Sequence, residues 1–535
     1  MWRLLRAQAR RDRWQLAIWI LGTGLFAVFG ASAVVGEFAG PDERTTLIRL
    51  ASANPAVLAI RGVPDGVSPG AVIDFSVFTY LAILAAMMST FLTVRHSRGD
   101  EEQGRAELIG ATAVGRASAL AATLALGALA NIGIAVVITL GFAAAALPLA
   151  GSLLTGVAAG AVGLAFCGLA AVAAQLATSS RAANSLAGAA IGIAFLLRAA
   201  GDAFGTSSVD GLTVTSAWPS WLSPIGWGQQ VRPFGSADPA PLTLALAVAV
   251  VTGVGALVIA RGRDLGSGIV GERPGRARAS AALTGSFGLA WRLQRSTVIG
   301  WAAGAAVLGL FAGGLAGPVS DAVQRDATIR AIIERMTMAG APSLLDTFVA
   351  AIMGFLGVLA AGVAIQAVLR ARSEEAEGRS ELILAGSVDR ARVVLDALAV
   401  AVISLVIVLL VGGLTAGLAF AAVGQPDRFV VTMAAALVQF PAAAMFAAAS
   451  AIALALVPRL SVTLGWSLLA LGFVLGQFGG LFGLPEWARD ISPFTHTPVI
   501  PGTDAQWLPA VWLLAIAAAA SLAATMLARR RDLVG

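Results

Sequence analysis

Lysine is absent from this chain. All 36 basic residues are arginine, set against 30 acidic ones. A Walker A loop, GxxxxGK(S/T), needs a lysine to reach the nucleotide phosphates. No standard loop of that kind is therefore encoded here, and work driven by nucleotide hydrolysis would fall to another polypeptide. Exclusive use of arginine also points to GC-rich bacterial coding. Cysteine is nearly missing too. Cys167 stands alone in an apolar run, where it can form no intrachain disulfide and reads as a small core residue. The two histidines, His96 and His496, are far apart, so no His/Cys cluster has metal-ligand spacing and no metal is expected. There is no Ser/His/Asp set, no HExxH and no paired catalytic carboxylates, so the chain is not expected to be an enzyme by itself. Basic stretches interleaved with stacking aromatics are missing as well. The net charge of +6 thus belongs to arginine-rich loops, not to a nucleic-acid surface.

Charge of either sign is scarce, at 12% of residues where soluble chains carry about a quarter. Hydrophobic residues make up 58%, with 61 glycines among 535 residues. The charges gather in a few loops and leave long apolar windows between them. About 20 apolar residues cross the hydrocarbon, and the windows predict twelve spans. Six are expected at Trp14–Val35, Val72–Val94, Ala117–Leu147, Ser152–Ala177, Leu186–Phe204 and Leu242–Ala260. Six more are expected at Val298–Leu315, Phe348–Leu369, Val393–Val423, Phe429–Val457, Ser461–Leu484 and Leu508–Ala528. The basic start, MWRLLRAQARRDR, suits an amphipathic helix lying on the membrane surface. The Trp221, Trp227 and Trp487 regions suit an interfacial belt.

The chain repeats itself. Trp2-Arg3-Leu4 returns as Trp291-Arg292-Leu293, and Ala39-Gly40-Pro41 as Ala316-Gly317-Pro318. Gly104-Arg105-x-Glu107-Leu108-Ile109 returns as Gly378-Arg379-x-Glu381-Leu382-Ile383. Ser223-Pro224 matches Ser492-Pro493, and Ala260-Arg261-x-Arg263-Asp264-Leu265 matches Ala528-Arg529-x-Arg531-Asp532-Leu533. Five matches in order indicate a duplication. The expected fold is therefore an all-α integral membrane protein of twelve transmembrane helices. These form two tandem six-helix bundles, residues 1–265 and 291–535, joined by an arginine-rich linker at 266–290. With an even number of spans per half, the two copies have the same orientation, as parallel repeats do. Most arginines fall on one side if both termini lie in the cytoplasm, which is the positive-inside arrangement.

The charged loops between the second and third span of each half carry the functional reading. In a continuous helix Glu101 and Arg105 would pair at i, i+4 with the acid first, and Glu375 with Arg379 likewise. A loop between spans is most simply a solvated one. These two hold glutamate as well as arginine, which orientation alone does not require, and they recur at equivalent places. Glu101, Glu102, Arg105, Glu107, Glu375, Arg379 and Glu381 are accordingly candidates for contact with a partner protein.

The E-E-x-G-R-x-E-L loop of the first half and its E-E-x-E-G-R-x-E-L counterpart in the second, the Ser-Pro pairs before each last span and the missing nucleotide motifs resemble type-2 ABC exporter permeases. The similarity runs over the whole chain and is nearest to the fused, twelve-span polyketide-antibiotic (tetronasin-type) exporter permeases of actinobacteria. The resemblance implies a separate ATP-binding-cassette subunit in two copies, which carries the ATP and Mg. It implies that the loops are coupling helices, and that the cargo is a bulky hydrophobic compound such as an antibiotic or drug. The implied location is the bacterial inner membrane. It further implies a cavity between the second and fifth spans of each half. There the candidates are Phe75, Phe78, Met87 and Phe91, then Phe195, then Phe348, Met353 and Phe355, and finally Phe473 and Phe478. Aromatic and Met side chains suit varied apolar ligands. Arg198 and Asp202, four apart at the end of the fifth span, are expected either to clamp the structure or to gate it. Two other readings compete: an ion-gradient-driven twelve-span carrier, and a non-transporting membrane scaffold or sensor. The first should place acidic residues deep in its spans, and this chain has few.

Overall fold

The computed structural model describes residues 1–37, 40–53, 55–113, 115–271, 280, 283, 285–314, 344–478, 485–502 and 505–530. The chain divides into two compact units, Met1–Gly275 and Arg276–Gly535. Both are helical, apart from one short hairpin. Eleven helices among the described residues are long and apolar enough to cross a membrane, and a shorter apolar helix covers Ser461–Gln477. The protein is therefore a multi-pass, all-α membrane protein. In hydrocarbon the backbone has no water to bond, and a helix satisfies its peptide groups within one segment.

In unit 1, α1 (Trp2–Arg11) meets α2 (Arg13–Glu37) at Asp12. Two short helices, α3 (Pro41–Ser52) and α4 (Pro55–Arg61), fill the polar connection to α5 (Pro69–Arg95). Ser68 caps α5 by accepting from the Ala71 N–H, with Pro69 in the first turn, a strong start signal. After the charged loop come α6 (Arg98–Glu102), α7 (Arg105–Gly110), α8 (Ser118–Ala144), α9 (Leu149–Leu176) and α10 (Ser180–Ala203). The hairpin β1 (Thr206–Ser207) and β2 (Val214–Thr215), α11 (Pro224–Gln229) and α12 (Leu242–Gly262) complete the unit.

Helix α9 is the axis of unit 1. In its most apolar stretch 78% of residues are buried, against 22% for α2 and for α12, and α5, α8, α10 and α12 all pack against it. Its sequence explains this. Gly156, Gly160 and Gly163 fall on the side facing α8. A Cβ added at Gly160 would stand 3.0 Å from the Asn131 carbonyl oxygen, and one at Gly156 would overlap the Ala135 carbonyl oxygen. Small faces of this kind let backbones approach where lipid supplies no hydrophobic drive.

Unit 2 holds α13 (Ser286–Gly314), α14 (Leu344–Ala376), α15 (Arg379–Leu384), α16 (Arg390–Ala422), α17 (Arg428–Leu437), α18 (Phe440–Leu456), α19 (Ser461–Phe473), α20 (Glu486–Arg489) and α21 (Leu508–Arg530). Here α16 is packed by α13, α14 and α21. The span expected at Phe429–Val457 is present as one long apolar segment, Arg428–Leu456, with an interruption between α17 and α18. Pro441 sits in the first turn of α18 and cannot donate to the preceding turn, which interrupts the ladder. The segment expected at Ser461–Leu484 passes from α19 into a π-helical turn at Val474–Phe478, and its remainder lies outside the described residues. The expected linker also differs at both edges. Ile269 and Val270 donate to the carbonyls of Gln175 and Leu176, so the chain beyond Arg263 is docked on unit 1, and α13 already begins at Ser286.

The packing around α9 makes a testable demand. Gly156→Leu is expected to destabilise the protein by about 1–3 kcal/mol, as overpacking does. Gly188→Ala, in a part of α10 with nothing within 4 Å, is expected to be neutral or stabilising by about 0.5–1 kcal/mol. Thermal unfolding of the detergent-solubilised protein measures both.

Candidate functional site

At the charged end of unit 1 the chain does not form the single helix expected there. α6 stops at Gln103, Gly104 takes a left-handed φ of 69°, and α7 follows. In unit 2, α14 runs to Ala376, Gly378 takes a φ of 72°, and α15 follows. A side chain is strained at such a φ. Nothing lies within 4 Å of a Cβ at either position, so backbone conformation, not crowding, calls for glycine.

The expected Glu101–Arg105 and Glu375–Arg379 pairs are corrected by this turn, which takes them out of helical register. Each arginine after the glycine instead reaches back across it. Arg105 donates to Asp100, five residues earlier, at 2.8 Å, and to Gln103, two residues earlier. Arg379 donates to Glu374, five residues earlier, at 2.5 Å, and to Glu377, two residues earlier. The two elbows thus share glycine conformation and brace. The Arg379 hydrogen bond holds the Glu377 carboxyl below its usual value, and Glu374 and Glu377 together push the Arg379 guanidinium up.

Beyond each brace the short helix projects. α7 buries none of its residues, and Leu108 is 74% exposed beside exposed Glu107. On α15, Leu382 is 81% exposed beside exposed Glu381. Glu101 and Glu102 behave differently, because their carboxylates are engaged inside the chain. Glu101 pairs with Arg98 at 2.8 Å and with Arg263. Glu102 accepts from the backbone N–H of Ser180 at 2.7 Å and from its hydroxyl, at the start of α10. Glu375 is half-buried and partnered.

A group that sequence reasoning missed lies behind α6. Asp12 and His96 are fully buried, with His96 Nε2 2.8 Å from Asp12 Oδ2. Arg95 Nη2 is 3.1 Å from Asp12 Oδ1, and Arg11 Nη1 is 2.9 Å from Asp100. The cluster pins the end of α1 to the loop. The one available signal was Asp12 itself, the lone acid in the basic opening segment. A cavity of about 500 Å³ opens beside it, lined by Gln8, His96, Asp100, Glu107, Arg116 and Arg263 among others.

Taken unit by unit, the described candidate substrate residues lie in different surroundings. Phe75 packs with Ile48 and Ala51 beneath α3, and Phe78 and Met353 lie in the cores of units 1 and 2. Met87 and Phe91 share the outward stripe of α5 with Tyr80, and Phe91 stands 6.1 Å from Trp19 of α2. Phe195 lies under the Arg198 guanidinium at 4.8 Å. Phe355 of α14 and Phe473 of α19 meet edge to face at 5.5 Å, which joins the second and fifth long segments of unit 2. The side chains of Phe348 and Phe478 lie outside the described residues. An apolar groove of about 390 Å³ runs instead between α8, α9 and α12, lined by Ile132, Val136, Leu153, Val157 and Leu246.

At the opposite end of unit 1, Arg198 and Asp202 are both 0% exposed and 3.3 Å apart. Arg198 also donates to the carbonyls of Leu58 and Ile60, which end α4. Asp202 accepts from Ser216 at 2.6 Å and from Gln229 of α11 at 3.0 Å. The Ser-Pro pairs share a bond too. Ser223 Oγ donates to Ala194 of α10, and Ser492 Oγ to Gly472 of α19, each at 2.7 Å.

Long apolar helices with small-residue interfaces and a projecting charged elbow in each unit are those of a multi-pass membrane protein. The family described as "Multidrug efflux system permease Rv1217c, C-terminal domain" matches residues 283–529. Over 536 aligned positions the chain is 37% identical to the multidrug efflux system permease protein Rv1217c of Mycobacterium tuberculosis. The match covers 99% of this chain and 94% of that protein. The chain belongs to the Rv1217c family of multidrug efflux system permeases, and its resemblance to exporter permeases holds at that level.

The Arg198–Asp202 geometry has a measurable consequence. Asp202→Ala leaves a buried guanidinium uncompensated, at a cost of about 3–5 kcal/mol. We expect a lower unfolding temperature and faster proteolysis within residues 55–61 and 206–216, whose carbonyl and hydroxyl groups the pair holds. Asp202→Asn, which keeps hydrogen-bonding capacity, should lose less on both measures.

Proposed function

We propose that this chain is the transmembrane subunit of an ATP-driven ABC exporter that moves bulky hydrophobic compounds, antibiotics and drugs among them, out of a bacterial cell. Its twelve spans form two tandem six-helix halves in the inner membrane. The eleven long helices and the shorter Ser461–Gln477 segment support that count. The shared Ser-to-carbonyl bonds of Ser223 and Ser492 support the duplication. Both termini lie in the cytoplasm, on the side richer in arginine. The charged end of each unit is then the cytoplasmic end.

The observation that carries the reading is the pair of braced elbows. Each has a left-handed glycine, an arginine reaching back five and two residues, and a projecting leucine beside a glutamate. A soluble loop gains nothing from an exposed leucine held on a braced helix. A docking knob for a protein partner does, because an apolar side chain that enters a pocket in the partner is removed from water there. The partner we assign is a separate ATPase in two copies, which binds Mg and ATP. This chain has no lysine with which to build a standard phosphate loop. ATP can shift the permease between states only through differential affinity for those states, so the elbows have to be tied to the spans they move. Of the candidate contacts, Arg105, Glu107, Arg379 and Glu381 belong to these elbows. The substrate class rests on the kinship with efflux permeases and on the apolar and aromatic side chains of the spans.

The test is twofold. In inverted vesicles from the native host, uptake of a hydrophobic dye should require ATP and survive a protonophore. Ionophore-sensitive, ATP-independent uptake would return the ion-driven carrier. Leu108→Arg and Leu382→Arg should each reduce the amount of co-purifying ATPase by roughly tenfold, the scale of a lost interface anchor. The unfolding temperature should stay unchanged, because both leucines are exposed.

A further inference from the structure

The first charged loop is held from a side that its own sequence does not announce. α12 ends at Gly262, and Arg263 continues in extended conformation. The chain then turns through Asp264–Ser267, with Ser267 N donating to Asp264 O and Gly266 at a φ of 79°. Glycine supplies the positive φ that such a turn needs. The segment that follows lies along the end of α9, where Ile269 and Val270 donate to Gln175 and Leu176. Gly268 sits so close to Ala177 that an added Cβ would stand 2.8 Å from its carbonyl.

From this strap Arg263 reaches under α6. Its guanidinium binds Glu101, donates to Gln175 Oε1 at 3.0 Å and closes on Ser267 O. Glu101 is filled from two further directions, by Arg98 at 2.8 Å and by the backbone N–H of Gly266 at 3.1 Å. Arg98 in turn donates to Ala174 O, at 2.6 and 3.0 Å, and to Ser267 O at 2.9 Å. The three side chains, Arg98, Glu101 and Arg263, are 0%, 9% and 8% exposed. One carboxylate thus fastens α6 to the end of α9 and to the chain leaving α12.

We propose that Arg263 is a positioning residue of the coupling machinery: by clamping Glu101 it makes α6, the end of α9 and the end of α12 move as one body, so that a push on α7 reaches two membrane helices. The inference rests on the exporter reading above. It adds that the stretch after the sixth span, which the sequence presents as the start of a linker, is a working part of the first elbow. Glu101 then acts within the permease and is not a contact for the ATPase.

The test separates coupling from docking and from folding. In a Cys167→Ala background, spin labels at Leu108→Cys on α7 and Val258→Cys on α12 report the distance between the two helices. With Arg263 intact the distance distribution should be narrow, and Arg263→Ala should broaden it. In inverted vesicles of the native host, Arg263→Ala should lower ATP-driven ethidium accumulation roughly tenfold, the scale of a lost coupling contact: Glu101 keeps Arg98 and the Gly266 N–H but loses its side-chain tie to the end of α12. The amount of co-purifying ATPase should not change. Arg263→Lys, which keeps the charge but not the fork, should restore part of both signals. Normal accumulation, or an unbroadened distribution, in Arg263→Ala overturns the proposal. So does loss of ATPase binding in step with transport, because docking would then be the affected step. If wild-type vesicles accumulate dye without ATP, the exporter reading fails and takes the coupling role with it. The distance measurement identifies that case, because it needs no nucleotide.

Discussion

A polar group placed in hydrocarbon has no water to fall back on, and this structure is built around that constraint. Helices answer it for the backbone, and several span side chains do the same, although Thr90 Oγ1, Asn131 Oδ1 and Ser450 Oγ are buried without a hydrogen-bond partner. Thr23, Ser76, Thr139 and Thr252 each donate to the carbonyl four residues earlier. Asn131 donates to Ser89 and to Gly127 O, and Thr155 donates to Asp74. With these polar groups met locally, helices in unit 1 associate through small faces, and α9 becomes an axis because its glycines let α8 come close. A close-packed interior deforms little and transmits displacement, which suits the proposed coupling role.

Charge is then confined to the ends, where it fastens segments distant in sequence. At one end of unit 1, Arg198 and Asp202 hold α4, the hairpin region and α11 against α10. At the other, Asp12, His96 and Asp100 join α1 to the charged loop, and Glu101 joins that loop to the chain beyond α12. A buried pair of this sort is weak evidence for added stability, since desolvation offsets much of the attraction. Its value lies in fixing one arrangement, because any other leaves a charge unpaired. Under the proposed coupling role, a single fixed arrangement behind each elbow is what would let a push on it move the spans.

The spans were legible because twenty apolar residues between arginines have few other readings. Which face of a span points where was not. α5 is apolar all round, so no sided pattern marked Phe75 and Phe78 as core and Met87 and Phe91 as outward. The elbows were half legible. Their repetition is plain, but helical charge spacing carries no sign of the left-handed glycine, so it assigns the arginines to Glu101 and Glu375 where the structure pairs them with Asp100 and Glu374. Asp12 with His96, and Glu101 with Arg263, were out of reach, since their partners stand 84 and 162 residues apart. Periodicity carries no information at such distances. The apolar run at Phe429–Val457 is one span, and Pro441 marks only the interruption within it.

The brace resolves a mechanical difficulty in the elbows. A glycine at a left-handed φ is a natural pivot, and under the proposed docking role a pivot between the exposed leucine and the membrane helices would absorb a push. Both elbows place an arginine directly after the pivot and return it to the acid five residues back. Exposed ion pairs contribute only about 0–1 kcal/mol each, so neither brace is a rigid weld. Asp100 is better placed than an ordinary surface acid, because it is buried and also held by Arg11. In unit 2 the corresponding acid, Glu374, is held by Arg370 from the helix behind it. Each brace is thus tied on its inner side to the body of its unit. A force on Leu108 or Leu382 that would rotate the short helix about its glycine has first to break the arginine's bonds. While those bonds hold, the same force is passed to α6 or α14, and the pivot yields only when the load exceeds what a pair of hydrogen-bonded charges can bear.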